Sequence, residues 1–289
     1  MTRLFGFAQF DFAGRLAVGD GRYVIRDDGL ERVLVIETLG APPPTGRRRR
    51  KPRDARAGDT PQELPLARVT SVRAFEELED VPSAERWLEA TSGDEEAIDG
   101  LLEEGIDDLN RALHAQAIAS EDPRPQVMAG ARAVAMRVGF GSGDQLADGL
   151  YTAARQVDPG RRPGSRRHQR DEEMRPQQRV AAVLGGRERL DTCETLLLRT
   201  RADLDAGRNR EAALQLRIGL EALLAGLRDA LDDPGHTEDM ATLEGQRPAV
   251  GDLANAALRG NLDATQLKSL RDTQALCERV LRRRRVLDG

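Results

Sequence analysis

The distribution of aromatic residues divides this sequence into two parts. All nine aromatic residues lie within the first 151 positions, and residues 152–289 contain none. A core that packs rings and β-branched side chains is built differently from one that packs leucine and alanine. The sequence therefore predicts two domains with separate cores, and a length of 289 residues is sufficient for both.

The first part carries the pattern of an antiparallel sheet. The opening stretch RLFGFAQFDF reads as a strand, and the segments 23–26 and 32–37 flank the turn-rich DDGLE, which predicts a β-hairpin. The β-branched content of LARVTSVRAF favours a fourth strand. Two further strands are expected in ARAVAMRV and LYTAARQV.

Helical patterns lie between these strands. Ser83 is the expected N-cap of a short helix, and a longer helix is predicted from Asp94 to Ala119. An apolar stripe recurs along it at helical spacing, at Ile98, Leu102, Gly105 or Ile106, Leu109, Leu113 and Ala117. Residues 1–157 are therefore predicted to form an α+β domain, with a mostly antiparallel sheet and covering helices.

The second part, residues 179–289, is predicted to be an all-α helical bundle. Two leucine-rich helices are separated by the turn AGRN. This hairpin resembles a single tetratricopeptide-type helix pair, with Gly207 at the turn and Ala213 where the helices approach. No second copy follows at a period of 34 residues, so a solenoid is not predicted. Two more helices, around 247–259 and 263–287, would complete a four-helix bundle.

Charge is segregated along the chain. Residues 41–64 contain five prolines and carry a net charge of +4, which predicts a disordered basic loop. Residues 158–178 read as a basic linker between the domains, and the span 155–179 also carries +4. Residues 65–122, in contrast, carry a net charge of −12.

Composition bounds the class of protein. No run approaches the roughly 18 apolar residues of a membrane span, and Asp11 interrupts the N-terminus before a signal-peptide core can form. The two cysteines, Cys193 and Cys277, provide neither a disulfide framework nor a metal-binding pair. We expect a cytoplasmic protein without membrane association, cofactor or metal. Its use of arginine in place of lysine is typical of GC-rich bacterial genomes.

The opening strand resembles the RNP1 octamer of RNA recognition motifs at Arg3, Phe5, Gly6, Phe7 and Phe10. In that family the RNP1 strand is the third of four, whereas here only two residues precede it. We therefore expect a central, buried strand. Strand alternation places Phe5 and Phe7 on one face of it and Phe10 and Phe12 on the other.

One face of the long helix is the first candidate for acid–base chemistry. Asp107, Asn110, Arg111 and His114 are spaced i, i+3, i+4 and i+7, so they share this face. An ordinary ion pair between Asp107 and Arg111 is the structural alternative. The glycine-rich RVGFGSGDQ departs from a nucleotide-binding fingerprint, and a turn with Asp144 as N-cap explains it.

Arginine clusters in the two basic segments are the candidates for nucleic-acid contact, because guanidinium groups neutralise phosphates without reading sequence. These are Arg47, Arg48, Arg49, Arg50, Arg161, Arg162, Arg166 and Arg167. The alternative is that the basic segments pair with the acidic region or remain solvated.

The sequence as a whole favours a non-catalytic cytosolic binding or scaffold protein with a protein partner. Two alternatives remain. The first is an enzyme with a site near Asp107, Arg111, His114 and the Gly139–Gly143 loop. The second is a nucleic-acid-associated auxiliary factor that acts through its arginine-rich segments.

Overall fold

The computed structural model describes residues 3–27, 30–40, 64–76, 78–158, 179–228 and 234–287. The chain divides into two compact units, Met1–Arg162 and Pro163–Gly289. The first is an α+β domain with an antiparallel sheet, and the second is helical, which confirms the predicted fold class. The predicted basic loop 41–64 and linker 158–178 lie almost entirely outside the described residues, so the boundaries drawn from them stay predictions.

Six strands form the sheet of the first unit, in the order β2-β3-β4-β1-β5-β6 with every neighbouring pair antiparallel. The expected hairpin is β2–β3. The opening stretch is the central strand β1, as predicted. The strand bounds are β1 Leu4–Ala13, β2 Gly21–Asp27, β3 Leu30–Leu39, β4 Leu66–Arg73, β5 Ala133–Ser142 and β6 Ala153–Val157.

Aromatic rings of β1 are buried on both faces of the sheet, as expected from its alternation. Phe10 and Phe12 belong to the large core beneath the helices, whereas Phe7 packs with Val72 and Leu146 on the opposite face. All three phenylalanines are at most 2% exposed. The likeness to RNP1 therefore marks a core strand and not an exposed stacking platform.

Two helices cover one face of the sheet, α1 at Val81–Gly93 and α2 at Glu95–Ala119. Asp94 caps α2 by accepting hydrogen bonds from the backbone of Glu96 and Ala97. The prediction of Ser83 as the cap of α1 is wrong. Asp80 takes that role and accepts a bond from the Ser83 amide, because Pro82 lies in the first turn, where its missing N–H costs nothing.

A glycine fixes the approach of α2 to the sheet. A Cβ atom at Gly105 would lie 2.9 Å from the ring of Phe10 and 3.2 Å from Cβ of Ala8. Both neighbours are buried side chains of β1. The helix therefore rests on the central strand at the one position of its apolar stripe that carries no side chain.

The stretch around Gly139–Gly143 is not a loop. Gly139 and Gly141 lie within β5, and a Cβ at Gly139 would lie 2.2 Å from the carbonyl oxygen of Ala153. The following short helix, α3 at Gly143–Ala147, is capped by Ser142 in a reciprocal capping box with Gln145. The assignment of Asp144 as N-cap is therefore wrong by two residues.

The second unit contains α4 at Thr192–Asp205, α5 at Asn209–Arg228, α6 at Pro234–Arg259 and α7 at Ala264–Leu287. Gly207 turns between α4 and α5 with a φ of +68°, a conformation that favours glycine. Leucine and alanine dominate the shared core, as the composition predicts. Helix α6 begins earlier than expected because it continues through Pro248. None of the helices within the described ranges is long and apolar enough to cross a membrane.

Candidate binding cleft

A cleft of about 740 Å³ opens at the end of the sheet where β1 and β3 begin and β4 ends. Its apolar lining comes from strands β1, β3 and β4 and from helix α3, at Phe5, Val33, Val35, Val72, Leu146 and Ala147. Its charged lining is Arg3, Glu31, Arg32, Arg73 and Glu104. The cleft is therefore an apolar trough with ionic groups at its mouth.

Strand alternation produces the apolar floor. Val33 and Val72 are paired across β3 and β4, and Val35 follows two residues later on the same face. Helix α3 lies over this face, where Leu146 packs against Val72 and Phe7. Helix α3 contains only five residues, and beside it Val33 is half-buried, whereas Val35 and Val72 are 4% and 7% exposed.

Two of the arginines at the mouth lie side by side on neighbouring strands. Arg32 of β3 lies directly opposite Arg73 of β4, and both side chains project to the face covered by α2. Like charges placed opposite each other on neighbouring strands repel. Carboxylates of α2 compensate this repulsion.

Asp108 is the carboxylate that holds Arg32. Its Oδ1 lies 3.3 Å from Arg32 Nε, and its Oδ2 accepts a 2.7 Å hydrogen bond from Ser71 Oγ. The side chain of Asp108 is 3% exposed, so both of its oxygens are used inside the protein. This pair is a fixed part of the domain, because separating it would leave a charge buried.

Glu104, one turn earlier on α2, forms an ion pair with Arg73. The Arg73 side chain is 17% exposed, whereas that of Glu104 is 51% exposed. Burial lowers the pKa of the Arg73 guanidinium, with Asp108 opposing this effect and Arg32 reinforcing it. Arg73 still carries its charge at neutral pH, since an arginine does not lose its proton in proteins.

Aromatic rings lie beside two of the guanidinium groups that line the cleft, those of Arg73 and Arg3. The Arg73 guanidinium lies 5.8 Å from the centroid of Phe75, and that of Arg3 lies 5.5 Å from the centroid of Phe5. Cation–π contacts of this kind restrict the position of a guanidinium without neutralising its charge. Phe75 in turn packs on Trp87 of α1.

A second ionic cluster lies on the face opposite α2, farther along β1. Asp11 accepts bonds of 2.8 and 3.1 Å from Arg68 and of 2.8 Å from Arg137. Burial alone would raise the pKa of Asp11, but the hydrogen bonds and charges of the two arginines lower it. Gln9 joins the cluster through Thr70 and Arg137. We call these five residues the Asp11 network. It ties the three central strands together and fixes their register.

The four residues predicted for acid–base chemistry differ in burial and in hydrogen bonding. Asn110 receives the backbone N–H of Met128 and donates to its carbonyl, so its amide holds the segment before β5. Asp107 and Arg111 are exposed, and His114 is half-buried. A catalytic role for this face remains a prediction, although the Gly139–Gly143 stretch assigned to the same site is strand and helix start.

Sequence reasoning missed the cleft arginines and their partners. Asp108 follows the chosen Asp107 by one residue, yet it is buried on the side of α2 that faces the sheet. A signal was present, because Asp108 lies three residues after Gly105 and next to Leu109 in the apolar stripe. A carboxylate there predicts a buried partner.

The described residues give little support to thiol or metal chemistry. The Cys193 and Cys277 thiols are buried, and burial raises the pKa of Cys277 to about 12. The described residues include no cluster of three or more His, Cys, Asp or Glu side chains that could hold a metal ion. The arginine clusters at 47–50 and 161–167 lie outside the described residues.

Comparisons with protein-family models, curated proteins and solved structures each find no match to this chain. What the cleft does must therefore be inferred from its own residues.

Proposed function

We propose that the chain is a non-catalytic, cytosolic binding protein that holds an apolar ligand in the cleft of its N-terminal domain. The observation that carries this proposal is the concave cleft beside α3, whose floor is formed by apolar side chains. A volume of about 740 Å³ lies within the range of small-ligand sites, which are mostly apolar with a few placed polar groups. Isolated exposed apolar residues need no explanation, but a concave apolar surface does.

The charges at the mouth support binding over catalysis. Its cations are guanidinium groups, which neither give up nor accept protons near neutral pH. Glu104 is paired with Arg73, and Glu31 accepts a 2.7 Å hydrogen bond from Arg26. Groups of this kind orient a ligand, whereas general acid–base catalysis needs a group whose pKa lies near the working pH.

A fluorescence titration tests the proposal. Nile red is uncharged and becomes bright in apolar surroundings, so the wild-type protein should enhance its emission with a saturable curve. Ala147→Trp adds a bulky side chain at a half-buried position of α3 that lines the cleft, and it should abolish this enhancement. Ala115→Trp at an exposed position of α2 is the matched control and should bind like the wild type. Equal binding of Nile red by the two variants would show that the dye does not bind in the cleft.

A nucleic-acid-associated role is the second candidate, and one observation favours it. The segment 41–63 connects Gly40 to Leu64, and Leu39 of β3 pairs with Leu66 of β4 at the end of the sheet away from the cleft. The second arginine-rich segment follows strand β6 in the chain. Strand β6 ends at this same end of the sheet, because its Val157 pairs with Met136 near the start of β5. Both arginine-rich segments thus join the domain toward one end, so their charges can act on the same polyanion.

The protein partner and scaffold role expected from the sequence remain part of the proposal. In this account the cleft supplies ligand binding. A pull-down with the intact chain, repeated with and without Nile red, would show whether partner binding depends on the cleft.

A further inference from the structure

We infer that the ligand of the cleft is an apolar chain that ends in a carboxylate, and that this carboxylate replaces Glu104 on Arg73. The inference rests on the proposed function of the cleft and adds the chemical class of its ligand. It follows from a difference between the two ion pairs at the mouth.

Arg32 and Arg73 lie on neighbouring strands, but only one of them has a partner that can leave. Asp108 is 3% exposed and is held by Ser71 as well as by Arg32. Glu104 is 51% exposed at the surface of α2. Its carboxylate can be solvated when it leaves Arg73, because about half of the side chain already faces water.

Arg73 would then face the cleft with an unsatisfied charge. Its side chain is 17% exposed, and burial already disfavours its cationic form, so water compensates it poorly. Val72 precedes Arg73 on β4 and projects to the opposite face, onto the apolar floor. Because Val72 and Arg73 nevertheless line the same cleft, an apolar chain on the floor and an anionic group on Arg73 can belong to one molecule.

The protein's own side chains indicate which anion fits. Arg32 and Arg73 are each paired with a carboxylate of α2, and the planar guanidinium matches the two oxygens of a carboxylate. With Glu104 displaced, Arg3, Arg32 and Arg73 line the cleft, of which Arg32 keeps Asp108 as its partner, and Glu31 is paired with Arg26. A carboxylate ligand restores the balance, whereas a cationic ligand would worsen it.

Competition against bound Nile red tests this inference with decanoate and decanol, each below its aggregation concentration. Decanoate should displace the dye at about tenfold lower concentration than decanol, as expected for one charge-assisted contact. Glu104→Gln removes the internal competitor and should strengthen decanoate binding, while Arg73→Gln should reduce it to the level of decanol. Arg22→Gln, in an exposed ion pair with Asp148 outside the cleft, is the control and should change neither.

Each result bears on the inference separately from the proposed function. If decanoate and decanol displace the dye equally, and Glu104→Gln has no effect on either, the cleft binds apolar ligands but the carboxylate assignment is wrong. If decyltrimethylammonium competes better than decanoate, the sign of the charge is wrong. Should Arg73→Gln fail to fold, the predicted gain of affinity in Glu104→Gln still decides, because that variant removes only the charge of a half-exposed side chain.

Discussion

Arg32 Nε lies 3.3 Å from Oδ1 of Asp108, a contact that joins the second strand of the hairpin to the long helix above the sheet. Both side chains are largely buried, at 17% and 3% exposure. The pair sits beside Arg73 and therefore sets the electrostatics of the cleft mouth. The contribution of this pair to the free energy of unfolding can be separated from that of neighbouring residues by substitution.

Asp108→Asn should lower the free energy of unfolding by about 3 kcal/mol or more, because it leaves the buried Arg32 without its counter-charge. The exposed neighbour provides a matched control, since Asp107→Asn should change stability by no more than about 0.5 kcal/mol. Urea unfolding followed by Trp87 fluorescence measures both. Similar losses in the two variants would show that the buried pair has no special role.

Gly105→Ala should destabilise the domain by about 1–3 kcal/mol, because the added Cβ would press on Phe10, which has no exposed surface. The same change at Gly100, where a Cβ would meet no atom within 4 Å, should instead stabilise α2 by about 0.5–1 kcal/mol. Thermal unfolding of the two variants should therefore shift in opposite directions. A stabilised Gly105→Ala would mean that α2 does not rest on β1 at this point.

The Asp11 network predicts a pH dependence of stability. Since Arg68 and Arg137 lower the pKa of Asp11 below its usual 3.8, the folded state favours the carboxylate more than the unfolded state does. The resulting stabilisation is present above pH 3.8 and is lost as the pH falls through the lower pKa of the folded state. Asp11→Asn should therefore be less stable than wild type at pH 7, and the gap should narrow below pH 3.8. A gap that is constant from pH 7 to pH 2.5 would contradict this.

The nucleic-acid alternative is tested by binding of an unstructured oligonucleotide. In the preferred account the intact chain binds only feebly, because the acidic region 65–122 is tethered to both basic segments and competes at high effective concentration. Replacing Glu95, Glu96 and Glu103 with Gln should then unmask binding that weakens steeply with salt.

Fluorescence anisotropy at a series of salt concentrations measures this binding. Replacing the four arginines at 47–50 with Ser in the unmasked protein should flatten the salt dependence, since fewer phosphates are neutralised. Tight, salt-sensitive binding by the unmodified chain near physiological ionic strength would instead place the nucleic-acid role first.

The periodicity of the sequence was sufficient to predict the strands and helices of the fold. Alternation in β1 and the apolar stripe of α2 are local patterns, and each is set by which residues must face the core. Helix caps were harder to predict from the sequence. Asp80 and Ser83 are both residue types that cap helices well, and only the placement of Pro82 in the first turn decides between them.

The cleft could not be read from the sequence because it depends on strand order. Arg32 and Arg73 are far apart in the chain, and only the pairing of β3 with β4 makes them neighbours. Asp107 and Asp108 differ by a rotation of about 100° on the helix, and only Asp108 lies on the side of the apolar stripe. A single acidic residue at the edge of an apolar stripe is therefore the signal to examine in similar sequences.

The most direct test of the central claim is a methyl NMR titration of the valine-labelled intact chain with decanoate. Val33, Val35 and Val72 line the cleft, so their methyl resonances should shift together and saturate at one equivalent. Val24 of β2, which is 54% exposed and lies outside the cleft, should not move. Shifts that are equal at Val24 and at the cleft valines, or absent from all four, would contradict the account.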